Sequence, residues 1–133
     1  MATIQKLSIG EVLPVLECPP VTRLDLIKYA GASGDFNPIH TIDDEAKKAG
    51  LPGIIAHGMW TMGQLSRVLS PYLHEGFVKD YNVRFHSMVF LGDSLTLHAK
   101  LIDQQDDVYT FSVQAVKQNK EVAVKGNITF KVY

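Results

Sequence analysis

From Phe77 onward the sequence changes period, and that change limits the fold more than any other feature. Phe77, Tyr81, Val83 and Phe85 alternate with Val78, Asp80, Asn82 and Arg84. Leu95, Leu97, Ala99 and Leu101 alternate with Thr96, His98 and Lys100, and Tyr109, Phe111, Val113 and Ala115 with Thr110, Ser112 and Gln114. A last run sets Val122, Val124, Gly126, Ile128, Phe130 and Val132 against Lys125, Asn127, Thr129 and Lys131. Successive side chains of a strand point to opposite faces, so these runs predict strands with one buried face, most simply in an antiparallel sheet. Asp103 to Asp107 and Gln118-Asn119-Lys120 are short enough to close hairpins.

A sheet with one apolar face needs a cover, and the first half of the chain is helical in pattern. Ile9 to Glu17 is broken by Pro14 and suits an extended edge piece, followed by the stiff Cys18-Pro19-Pro20. Thr22 is a good N-cap, and Asp25 three residues on completes a capping box, so a helix is expected over 23–33. Leu24, Ile27 and Ala30 or Gly31 share one of its faces, and Gly34 ends it. Asp43-Asp44-Glu45 before Lys47-Lys48 places acids at the start and bases at the end of a short helix. A further helix is expected over about 57–69, ending before Pro71 and buried on most sides. Met59, Met62, Leu65 or Ser66, and Leu69 form its stripe, widened by Trp60 and Val68. Helices first and strands after give one α+β domain over 1–133, a central helix against one sheet face.

Composition narrows the class of function. With 13 basic and 14 acidic residues the chain has no cationic excess to neutralise a nucleic acid. Cys18 is the single cysteine, which excludes an internal disulfide and a thiolate zinc cluster. No leader pattern and no apolar run of the ~20 residues a membrane span needs is present, so a cytoplasmic protein is expected.

The chemistry concentrates in Ser33-Gly34-Asp35-Phe36-Asn37-Pro38-Ile39-His40 and in Ala56-His57-Gly58-Met59. Asp35 and His40 are two proton-handling side chains five positions apart, separated by the turn-forming Asn37-Pro38. At the mouth of such a turn a carboxylate and an imidazole can converge on one water, moving protons with no metal or cofactor. A two-histidine, one-carboxylate metal site from Asp35, His40 and His57 is compatible with the spacing, but it leaves Gly58 and the Asn37-Pro38 turn without a role.

These residues resemble the signature of the MaoC-like (R)-specific enoyl-CoA hydratases, the hydratase-2 group of the hot-dog superfamily. Ile55 to Met59, Tyr81 to Phe85 and Val122 to Gly126 look familial as well, so the resemblance runs along nearly the whole chain. It implies a single hot-dog domain whose antiparallel sheet wraps the helix at 57–69. It implies reversible (R)-specific hydration of a trans-2-enoyl-CoA to a (3R)-hydroxyacyl-CoA, catalysed by Asp35 and His40 with the Gly58 backbone N–H as oxyanion donor. His40 is then the base that activates water and Asp35 the donor to the α-carbon, with the roles reversed in dehydration. Tyr29, Asn37, His57 and Ser66 are the further candidates for substrate binding. Tyr29 would wall the acyl pocket, Asn37 either orients the pair or closes an Asx turn, and His57 braces the loop. Ser66 lies two turns along the helix from Gly58 and matches a serine that lines the site in some relatives, or merely packs.

Leu24 to Gly31 and Ala56 to Gly63 also look like the small subunits of two-subunit 3-hydroxyacyl-carrier-protein dehydratases, so the implied partner is an acyl-CoA or an acyl-carrier-protein thioester. Lys47, Lys48, Arg67, Lys79 and Arg84 are candidate contacts to its phosphates or acidic surface. Trp60, in place of a smaller aliphatic residue, would reshape the acyl tunnel. A hot-dog thioesterase is disfavoured because 57–69 holds no carboxylate. The family pairs hot dogs side by side, which implies a homodimer or a heterodimer with a related subunit. A non-catalytic partner subunit would have no need of both Asp35 and His40.

Overall fold

The computed structural model describes residues 3–133, and its centre is one antiparallel sheet. The strands are β1 (Leu16–Glu17), β2 (Gly76–Phe85), β3 (Leu95–Gln105), β4 (Val108–Lys117) and β5 (Val122–Val132), in the order β1-β3-β4-β5-β2. β3, β4 and β5 follow one another through tight hairpins, as the short polar connections require. Pro14 keeps the first segment from pairing continuously: Gly10 and Leu13 donate to Leu101 O and Ala99 O before β1 closes the edge. Among the described residues no helix is long and apolar enough to cross a membrane.

The inward faces of β3 and β4 are those of the alternation: Leu95, Leu97, Ala99, Leu101, Tyr109, Phe111, Val113 and Ala115 are all buried. They meet Leu65, Val68, Leu69 and Tyr72 from the helical layer. Each large side chain so removed from water contributes about 1.5–3 kcal/mol before entropy is counted.

Strand β2 departs from the expected pattern. Val78 pairs with Phe130, and Asp80, not Lys79, pairs with Thr129, so one residue bulges. The bulge inverts the alternation: Phe77 falls opposite Lys131 on the outer face, while Tyr81 lies opposite Ile128 on the inner one. Phe77 is therefore exposed, and Phe85, past the end of the helical cover, is exposed as well. Tyr81, with its hydroxyl donating to Met62 O at 2.6 Å, ties β2 to the helical layer, and burial raises its phenol well above the ordinary range.

Three helices form that layer: α1 (Arg23–Ser33), α2 (Asp43–Lys48) and α3 (Gly58–Leu65). The capping box is present in both halves, Asp25 N donating to Thr22 Oγ1 and Thr22 N to Asp25 Oδ2. The buried face of α1 is Leu26 and Ala30, and Leu24 and Ile27 point outward instead. In this roll Arg23 reaches Thr41 O and the Asp43 carboxylate. The central helix is shorter than the 57–69 expected. It is α-helical to Leu65 and continues as a 3-10 helix over Ser66–Tyr72 that includes Pro71. Ser66 Oγ bonds back to Gly63 O at 2.6 Å where the helix tightens. One side of α3 is open, with Met59 58% exposed, while Thr61 joins Leu65 in the core.

Candidate active site

The site is assembled where three short segments meet. Helix α1 stops at Gly34, whose backbone takes a left-handed turn (φ 76°) that a residue with a Cβ resists. Asp35 follows directly. Its Oδ1 accepts from Asn37 N at 3.1 Å, and Asn37 Oδ1 accepts from Ile39 N at 3.2 Å, capping the 3-10 turn Pro38–His40. The Asn37 amide oxygen is thus spent on an Asx turn, and it is the Asn37 main chain that holds Asp35.

The second segment is Ile54–Ala56, wedged between that turn and the loop after β2. Ile55 N donates to Ile39 O at 3.2 Å, Ala56 N to Val89 O at 2.8 Å, and Ile55 bridges to Phe90. The Val89–Phe90 loop is in turn fixed from β4. Buried Lys117 reaches Met88 O at 2.9 Å and Asp93 at 3.0 Å, and Asp93 accepts from Phe90 N at 2.8 Å. The third segment is the start of α3, with His57 as N-cap and Gly58 first in the helix. Helix-start N–H groups have no intrahelical acceptor and carry partial positive charge.

His40 and Asp35 face each other, Nε2 lying 3.9 Å from Oδ2. His40 is 7% exposed, whereas the Asp35 side chain is about half open to solvent. His40 Nδ1 lies 2.7 Å from Ile55 O. A carbonyl oxygen only accepts, so Nδ1 carries the hydrogen and the neutral ring presents the Nε2 lone pair to Asp35. His57 stacks on His40, ring centroids 3.8 Å apart and planes 23° from parallel, and Tyr29 meets His57 edge-to-face at 4.8 Å. His57 Nε2 lies 3.1 Å from Asp35 O.

Tyr29, Ser33, Asp35, His57, Gly58, Met59 and Phe85 line a cleft of about 360 Å³ that joins Asp35 to the Gly58 helix start. Gly58 and Phe85 also line a second cleft that runs along Ile55, Thr61 and Ser87 to Val124. Of the candidate residues, Tyr29, Asp35, His57 and Gly58 line the first cleft, Asn37 lies behind Asp35, and buried His40 lines neither cleft but faces Asp35 through Nε2. Ser66 lies elsewhere, on the Gly63 carbonyl, and lines neither cleft. Phe85 was assigned to the core by alternation. Only its position beside Gly58, set by the loop after β2, shows it as a cleft residue, with no sequence signal to mark it.

Asp35, His40 and His57 offer ligand atoms within 4.8 Å of one another, the one cluster of this kind among the described residues. Two ligands of one ion need in-plane lone pairs that converge, and stacked rings direct theirs in parallel. The arrangement suits proton transfer better than coordination.

The chain matches the family model of the MaoC like domain over residues 8–125. It is 27% identical over 122 residues to the mitochondrial 3-hydroxyacyl-[acyl-carrier-protein] dehydratase of Arabidopsis thaliana, covering 89% of this chain and 72% of that protein. Several other relatives are much longer, and the chain spans 4–25% of their lengths. The unliganded R-hydratase PhaJ1 from Pseudomonas aeruginosa superposes with a TM-score of 0.88 at 22% identity, over 96% of this chain and 83% of that one. A chain of the ChsH1-ChsH2 complex from Mycobacterium tuberculosis does so at 0.85 and 19%, over 95% and 98%. At these identities the structures share the fold: a five-stranded antiparallel sheet with one helix across it, the hot dog. With the family match running through both the Asp35–His40 turn and the His57–Gly58 helix start, this chain belongs to the MaoC-like hydratase and dehydratase family.

Proposed function

We propose that the chain catalyses the reversible, (R)-specific hydration of trans-2-enoyl-CoA thioesters to (3R)-hydroxyacyl-CoA. The observation that carries this reading is the orientation of His40, whose Nδ1 is held by Ile55 O while Nε2 faces Asp35 across 3.9 Å. That gap is too long for a direct hydrogen bond, but one water at ~2.8 Å from each atom spans it. In hydration, His40 Nε2 takes a proton from this water as its oxygen bonds to the β-carbon. Asp35, carrying a proton at that point, gives it to the α-carbon. The pair as a whole neither gains nor loses a proton, and dehydration runs the same steps backward.

Negative charge grows on the thioester oxygen during attack, and the Gly58 N–H at the start of α3 is the donor assigned to it. Such a donor contributes ~3–4 kcal/mol to the barrier. Tyr29 walls the cleft through its contact with His57. The name of the R-hydratase neighbour supports the (R) sense. The name of the Arabidopsis relative supports a second reading, in which the substrate is the 3-hydroxyacyl-carrier-protein form and dehydration is the working direction. A hot-dog thioesterase is less well supported, since α3 carries no carboxylate. The outer edge of β2 has no partner strand among the described residues, which supports pairing with a second copy or a related subunit.

The test is to supply enoyl-CoA substrates of graded length beside their carrier-protein forms and to assign the configuration of the product by chiral chromatography. The proposal expects (3R) product from CoA substrates. Turnover of carrier-protein forms alone moves the assignment to the dehydratase, and (3S) product refutes the stated stereochemistry.

A further inference from the structure

We propose that His57 is a positioning residue that holds both members of the proton-transfer pair at once, an inference that rests on the hydration reading above. Four observations converge on this one ring. It is 2% exposed, and its residue holds the N-cap position of the helix whose first residue is Gly58. Its Nε2–H donates to Asp35 O at 3.1 Å, and no other group meets that carbonyl among the described residues. Its face lies on the His40 ring at 3.8 Å. Its Nδ1 is buried with no hydrogen-bond partner.

The first three define what the ring does. Asp35 stands beyond the end of α1, its own backbone N–H and carboxylate bonded within residues 33–37, while the far end of the loop is held where Ile55 N meets Ile39 O. The bond from His57 ties the Asp35 main chain itself to the start of α3, so it sets where the Asp35 carboxylate stands relative to the Gly58 N–H. The Nδ1–H bond to Ile55 O fixes His40 along one direction but leaves the ring free to rock about it. Stacking on His57 removes that freedom and keeps Nε2 aimed at Asp35.

The fourth observation separates this role from plain packing. A buried polar atom left unpaired is unfavourable, and an apolar ring would fill the same space without it. A flat ring that also donates a hydrogen bond over this short reach is supplied by histidine; tyrosine and tryptophan are larger.

Three substitutions take the two functions apart. His57→Phe keeps a flat face for His40 and loses the donor. His57→Gln keeps a donor near the Nε2 position and loses the face. His57→Leu loses both. The proposal expects kcat on crotonyl-CoA to fall roughly 10²-fold in His57→Leu, the cost of misplacing reacting groups by about an ångström. KM is expected to stay within about threefold, and His57→Phe and His57→Gln each to recover part of the rate.

Nitrogen-15 NMR of the ring nitrogens supplies a readout independent of turnover. His40 is expected to keep its Nδ1–H in every variant, while its Nε2 signal, sharp in the wild type, shifts and broadens with ring motion in His57→Leu, or in His57→Gln should the leucine variant not fold. A kcat within threefold of wild type in His57→Leu, a loss expressed in KM alone, or unchanged His40 signals in the variants would overturn the proposal. Should the wild type turn over no thioester, the hydration reading fails, and the NMR comparison still decides whether His57 orients His40.

Discussion

His40→Gln retains a donor that can meet Ile55 O, but it removes the lone pair that faces Asp35. We predict a loss of ~10²–10⁴ in kcat, the worth of a positioned general base. The melting temperature should hardly move, and parallel kinetics and thermal unfolding check this. Gly58→Ala probes the opposite wall of the cleft. Its N–H survives, but the new Cβ would stand 3.1 Å from Phe85 Cε1, so the ring must give way. The expected result is a fall of about tenfold in kcat/KM, and Phe85→Ala in the same chain should restore part of it. Asp35 and His40 were legible as a pair because their motif fixes the residue types and the turn between them. The stacking of His57 was not, since Ile54–Ala56 and the loop after β2 create it, and no spacing in the sequence encodes that meeting.

Among the elements, α1 follows its local signals. Thr22→Ala should cost ~1 kcal/mol in urea unfolding, the usual worth of an N-cap side chain. Its roll was not legible, because Leu24/Ile27 and Leu26/Ala30 both read as stripes and packing against residues distant in sequence chooses between them. The loop that supports Ile55 depends on Lys117, which alternation places inward at the end of β4 and which carries its charge into the core beside Asp93. Burial opposes ionisation of Asp93. Hydrogen bonds from Gln118, the Phe90 N–H and Lys117, together with the Lys117 charge, outweigh it and hold the carboxyl below its ordinary 3.8. A depressed folded-state value means the contribution is fully present above pH 3.8 and is lost as pH falls from there through the folded value. Asp93→Asn should flatten that part of the acid-unfolding curve. It should also cost ~1–3 kcal/mol near neutrality, since Lys117 loses its buried partner but keeps Met88 O and the more exposed Glu121, as measured by urea unfolding at a series of pH values.

For the molecule as a whole, period-two runs and an earlier helical half were enough to give a helix on an antiparallel sheet. The bulge in β2 was not legible, because it is set by pairing with β5 and not by any residue within the strand. It turns Phe77 outward on a strand that ends the sheet, and analytical ultracentrifugation should find a species of twice the 14.8 kDa chain mass, alone or with a related subunit. Asp35 and His40 act, on this mechanism, as one unit on one water. The most direct measurement is a double-mutant cycle on crotonyl-CoA hydration with wild type, Asp35→Asn, His40→Gln and the double variant. Each single variant should lose ~10²–10⁴ in kcat, and the double should lose little more than the worse of the two. Singles that turn over like the wild type, or losses that multiply in the double, would contradict it.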